Sequence, residues 1–160
     1  MIIFLGCVMN FLLILAVFSI FLGGCSQKSA FSNFELTKAQ EFSISNTQRA
    51  KIVSPDKIEG TFTAVYLNNI YPEIYTQNDV FLICLYTKDA IALKDLQFRT
   101  NNKEAFLIEK VENEFKDLIA MQNSWNSCYL MEFGSNEERE IKFQVKSNIY
   151  QSMLLIYKKR

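Results

Sequence analysis

Seven consecutive apolar residues, Val80-Phe81-Leu82-Ile83-Cys84-Leu85-Tyr86, stand between Asn78-Asp79 and Lys88-Asp89. A segment this short, apolar at odd and even positions alike, reads as a central strand covered on both faces. Such a strand needs a sheet with material packed above and below it. Elsewhere the pattern is half-buried. Ile141, Phe143 and Val145 alternate with Lys142, Gln144 and Lys146, and Phe62, Ala64 and Tyr66 alternate with Thr61, Thr63 and Val65. Further strands are expected at Glu41–Ser45, Leu93–Arg99, Ala105–Val111, Ser127–Phe133 and Ser152–Lys158. Turn residues separate them at Asn68-Asn69, Tyr71-Pro72, Asn101-Asn102, Gly134-Ser135-Asn136 and Ser147-Asn148.

Seven or eight short strands at this spacing predict a mainly β fold, an immunoglobulin-like antiparallel β-sandwich. One segment carries a competing period. Ile108, Val111, Phe115, Leu118 and Ile119 recur at helical spacing, so a helix over Lys103–Met121 competes with a strand. The reading adopted is a strand at Ala105–Val111, then a short helix at Asn113–Met121 crossing one end of the sandwich.

All 17 basic and 17 acidic side chains lie beyond Gln27. Within the uncharged segment, Phe11 to Leu22 is almost wholly apolar, about the length of a signal-peptide core and short of the roughly 20 residues a spanning helix needs. Leu22-Gly23-Gly24-Cys25 follows. These residues resemble the lipobox of bacterial lipoproteins. The glycines admit the close backbone approach a peptidase needs, and the Cys25 thiol is the nucleophile that takes up a diacylglycerol. The resemblance implies that Cys25 becomes the first mature residue, bearing two acyl chains on sulfur and often a third on nitrogen, enough for a stable anchor. Ser26 in place of Asp implies, by the same analogy, sorting to the outer membrane of a two-membrane cell. The leader has no Lys or Arg at its start, where family members usually carry one, and Met9 opens a shorter leader. The alternatives are an uncleaved membrane helix over Ile2–Leu22 and simple secretion. The organisation expected is therefore a signal peptide over 1–24, a polar tether over 25–39 and a β-sandwich over 40–160.

A second resemblance rests on Tyr66-Leu67-Asn68, Ala105-Phe106-Leu107-Ile108, Asn123-Ser124-Trp125 and Tyr129-Leu130-Met131-Glu132-Phe133. In that order they are similar to small immunoglobulin-like lipoproteins of the epsilon class of proteobacteria. This implies a sandwich at the cell envelope and no particular reaction.

The chain has no histidine, which removes Ser-His and Cys-His triads and His-ligated metal sites. Its net charge of zero argues against a nucleic-acid partner. No P-loop, dinucleotide fingerprint, EF-hand loop or CxxC pair occurs, so no cofactor and no metal is expected. With Cys7 in the leader and Cys25 lipidated, Cys84 and Cys128 remain. An oxidising compartment permits a bridge between them. Against it, Cys84 belongs to the doubly buried strand, whereas Cys128 shares a face with Glu132, away from Tyr129, Met131 and Phe133. Two buried thiols are then the simpler reading.

Trp125, in a polar stretch, is either an exposed binding spot or a cap on the core. Tyr71 and Tyr75, around Pro72 and Ile74, either rim a recognition surface or close the core. Glu109, Glu112, Glu114 and Asp117 form an acidic run, read as a solvated face rather than a catalytic carboxylate pair. Lys158-Lys159-Arg160 is a basic tail, solvated or touching anionic headgroups. The function expected is a lipid-anchored envelope protein, facing the periplasm or the cell surface. Its expected role is non-catalytic, with membrane lipid as one partner through acylated Cys25 and an envelope protein as another. The alternatives are a surface adhesin, an uncleaved accessory subunit and an envelope hydrolase using the acidic run.

Overall fold

The computed structural model describes residues 37–88, 91–112, 114, 115, 118 and 126–160. Cys25, the leader and Trp125 lie outside these residues. The first element is a helix, α1 (Lys38–Ser45). Thr37 accepts from the Gln40 amide while the Gln40 side chain accepts from the Thr37 amide, a reciprocal cap that starts a helix at this point. Asn46 ends it, its amide donating to the Phe42 and Ser43 carbonyls. This corrects the strand expected at Glu41–Ser45. Phe42 and Ile44 alternate with serines, but the capping box outweighs that weak period. Phe42 and Ala39 pack on the fold, and Ile44 faces solvent. Among the described residues no helix is long and apolar enough to cross a membrane.

Nine strands follow: β1 (Thr47–Val53), β2 (Ile58–Tyr66), β3 (Asp79–Thr87), β4 (Phe98–Thr100), β5 (Lys103–Val111), β6 (Ser127–Phe133), β7 (Glu140–Val145), β8 (Gln151–Ser152) and β9 (Leu155–Lys158). They form one curled antiparallel sheet in the order β8-β1-β2-β3-β6-β5-β4-β7-β9. The mainly β, antiparallel architecture is therefore present, with one short α-helix among the described residues, and its two layers are two arms of a single sheet. This helix stands before the first strand. Of the helix expected at Asn113–Met121 only residues 114, 115 and 118 are described, the first two a turn and the third a bend, and the rest lie outside the described residues. The segment expected as a strand at Leu93–Arg99 is a 3₁₀ turn (Leu93–Asp95) before β4.

The sheet curls where β4 meets β5. Asn101 and Asn102 take positive φ, 44° and 71°, as a two-residue turn between strands demands. β4 pairs with β5 over only two residues, then with β7 through Phe98↔Val145. A bulge at Phe106 adds to the bend. The inner faces of the two arms close on a core rich in aromatic rings. Phe143 of β7 lies 5.7 Å from Phe62, 5.0 Å from Phe81 and 5.9 Å from Phe133, centroid to centroid.

β3 is buried on both sides from Asp79 to Leu85, but Tyr86, the last residue of the apolar run expected to be covered twice, is 41 % exposed where the strand nears its end. Its other face joins a second cluster with Val65, Leu67, Val111, Leu118 and Cys128, against which Tyr71, Tyr75 and Phe115 pack. Gly60 of β2 is required by the β2–β3 approach, because a Cβ there would stand 2.3 Å from the Tyr86 carbonyl oxygen. The last stretch of chain serves both ends of the sheet. β8 pairs with β1 at Ile52 and Val53, and two residues later β9 has switched to β7. Residues 36–160 form one compact unit.

Candidate functional site

β3 opens at Asp79, a carboxylate 2 % exposed at the mouth of the inner core. It needs partners, because an unpaired buried charge costs several kcal/mol. Lys159 Nζ lies 2.8 Å from Asp79 Oδ1, the Tyr66 hydroxyl donates to the same oxygen at 2.9 Å, and the Asn136 amide donates to Oδ2 at 3.2 Å. Burial pushes the Tyr66 phenol far above its ordinary pKa, and the Asp79 charge pushes it further. The phenol therefore remains a donor.

Two asparagines hold the loops around this group. Asn68 donates to the Tyr75 and Asn78 carbonyls and accepts from the Val80 amide. Asn69 donates to Asn46 Oδ1 and to the Lys158 carbonyl, and accepts from the Arg160 amide. The Arg160 guanidinium sits 4.3 Å from the centre of the Phe42 ring, in cation–π range. The basic stretch at 158–160 is thus docked rather than a solvated tail. Between these parts lies a cleft of about 510 Å³, lined by Tyr75, Thr76, Gln77, Pro72, Phe42 and Arg160 among others.

Tyr71 and Tyr75 are both half-buried lids on the second cluster. Tyr71 stacks 6.3 Å from Phe115, and Tyr75 also walls the cleft. The Tyr75 phenol is raised by burial first, then by Tyr71 and Glu132. Ile74, between them, stands 69 % exposed. Tyr71 is therefore a lid, Ile74 stands at the rim, and Tyr75 serves as both.

Cys84 and Cys128 are bridged, with Cα atoms 4.0 Å apart. They are directly opposed in the β3–β6 register and both are buried. The face argument against the bridge fails for a physical reason. The face of β6 that carries Cys128 is not the solvent face. It continues the second covered face of β3, the one that carries Cys84.

The acidic run does not converge. Glu109, Glu112 and Glu114 are exposed and line none of the clefts described here, and Asp117 lies outside the described residues. Among the described residues no three His, Cys, Asp or Glu side chains are placed to hold a metal ion. A second opening of about 770 Å³ lies beside β1, lined by Arg49, Lys51, Val53, Thr61 and Met153. The Asp79–Lys159 pair was not legible in the sequence, where Asp79 reads as a turn residue and Lys159 as part of a tail. The one signal was an acid flush against a doubly apolar run. Comparisons with family models, with curated proteins and with solved structures find no match to this chain.

Proposed function

We propose that the chain is a lipid-anchored cell-envelope protein with a non-catalytic, binding or structural role. Its anchor would be an acylated Cys25 and its working part the curled sheet. The observation that carries this reading is the buried Cys84–Cys128 bridge between two central strands. Such bridges persist outside the reducing cytosol. That agrees with a leader that is uncharged through Gln27 and ends in Leu22-Gly23-Gly24-Cys25. Sorting of Ser26-bearing members to the outer membrane makes that membrane the favoured address.

The chemistry of the polar cleft supports binding over catalysis. Asp79 is engaged by Lys159, Tyr66 and Asn136 and is only 2 % exposed, which suits it to holding the mouth of the cleft together. A surface suited to an envelope partner is the rim at Pro72, Ile74 and Tyr75, apolar at its tip and held at its base by Asn68.

Intact mass of the membrane-extracted protein, with its N-terminal peptide mapped, tests the address. The expected result is a chain beginning at Cys25 and carrying acyl mass. Cys25→Ala should leave the leader uncut and the chain unlipidated. An intact leader without acyl mass in the wild-type protein would replace this reading with that of a membrane-anchored accessory subunit.

A further inference from the structure

The switch from β8 to β9 leaves three large aliphatic side chains in solvent. Met153 is 65 % exposed, Leu154 43 % and Ile156 47 %. Leu155 and Tyr157 point into the core, so Leu154 and Ile156 share the outer face of the seam, and Met153, in the crossing between the strands, lines the opening beside β1. Cations flank them on both sides. Lys142 is directly opposite Ile156 in the β7–β9 ladder, and Lys146 bridges to Gln151. Across the seam, Arg49 and Lys51 of β1 line the same opening as Met153, and Gln48 donates to the Ile156 carbonyl.

This excess is local in a chain of zero net charge. Lys51, Lys142 and Lys146 are exposed and make no ion pair with a described residue. The carboxylates nearest in the ladders are Glu140, opposite Lys158, Glu104, taken up by Arg99, and Glu59 of β2, paired with Lys57. Exposed aliphatics fringed by unpaired cations are the chemistry of an interfacial membrane contact. The cations meet lipid phosphates, and the side chains between them enter the headgroup boundary.

We propose that the seam face of β1, β8 and β9 lies against an anionic bilayer surface, with Met153, Leu154 and Ile156 entering the headgroup layer. The proposal rests on the envelope-anchor reading and adds an orientation to it. Anchoring through Cys25 alone leaves the domain free to turn, whereas this face gives it a preferred side. Each cation near an anionic surface raises partitioning about fivefold, an effect that salt screens.

The test uses the full chain reconstituted in vesicles of phosphatidylcholine alone or with about 30 mol% phosphatidylglycerol, a strongly anionic surface. Flotation reads attachment, and hydroxyl-radical footprinting reads which face is covered. Labelling of the 153–156 peptide should fall about threefold or more in the anionic vesicles only, and return in high salt. Labelling at Phe106 and Ile108, exposed elsewhere, should not change. Lys51→Glu with Lys142→Glu and Lys146→Glu, all surface changes, should abolish the protection while the chain still floats. Equal labelling in both vesicle types would overturn the proposal. So would protection that persists in detergent, which would assign the face to a second copy or another protein. Failure to float on neutral vesicles would instead count against the anchor, leaving the footprint on anionic vesicles to judge the face separately.

Discussion

The two faces of β3 are buried by different means. The inner face closes on interlocking rings, with Phe143 touching Phe62, Phe81, Phe98 and Phe133 across the curled sheet. The outer face is covered by loops and by α1, and a covalent bridge holds its two strands at Cys84 and Cys128. Sheet against sheet supplies many mutual contacts at once. A loop lid supplies fewer, and each lid residue must be ordered separately at a conformational-entropy cost. A cross-link beneath such a lid stabilises by constraining the unfolded chain and needs no further contacts in the folded one.

The comparison can be broken from either side. Phe143→Ala should be the most damaging change, costing about 4 to 5 kcal/mol because the cavity opens where two arms meet and neither can collapse into it. A denaturant titration would show a lower midpoint, and a cost under about 1 kcal/mol would mean the inner core does not carry the fold. Removing the bridge with Cys84→Ala and Cys128→Ala should cost about 3 to 4 kcal/mol, given a sequence separation of 44 between the cysteines. Equal midpoints with and without reductant would show that the outer cluster needs no cross-link.

Asp79→Ala should cost about 2 kcal/mol, below the value for a fully buried pair because Lys159 is partly solvated. Thermal melts should show the loss, and Asp79→Asn should recover part of it by keeping the bond to Tyr66. The smallest effect is on pH dependence. Tyr66 and Tyr157 are inner-core phenols, both pushed well up by burial. Their folded pKa values exceed the unfolded value of about 10, so the stability they contribute is intact below pH 10. It is lost as pH rises and the unfolded phenols ionise. Tyr157→Phe should flatten that alkaline loss while costing about 1 kcal/mol at neutral pH for the bond to the Ala64 carbonyl. An unchanged alkaline midpoint would count against the linkage.

Legibility in the sequence followed the strength of the local pattern. β3, β6 and β7 could be read almost to the residue, because doubly apolar or strictly alternating runs leave one assignment. β1 escaped notice, since only Ala50 and Ile52 point inward between Arg49, Lys51 and other polar residues. The β8–β9 switch was invisible for another reason. Ser152 and Leu155 belong to one apolar stretch, and nothing local says that its two halves pair with opposite ends of the sheet. The cleft depended on a contact between residues 79 and 159, and the bridge on a register between β3 and β6. Both are products of topology, which no short window contains.

The seam also decides how the domain would yield to tension. The Gln48 side chain donates to the Ile156 carbonyl, and Asn69 bonds both Asn46 and Lys158, so the start of β1 and the end of β9 emerge on the same side. A force drawn between those two points would peel the seam one bond at a time instead of shearing many together. The peel would then meet the Cys84–Cys128 bridge, which withholds a sequence separation of 44, roughly 150 Å of contour, from extension. A domain built this way gives early and softly at its seam, then stops at a fixed length while β3 and β6 remain joined.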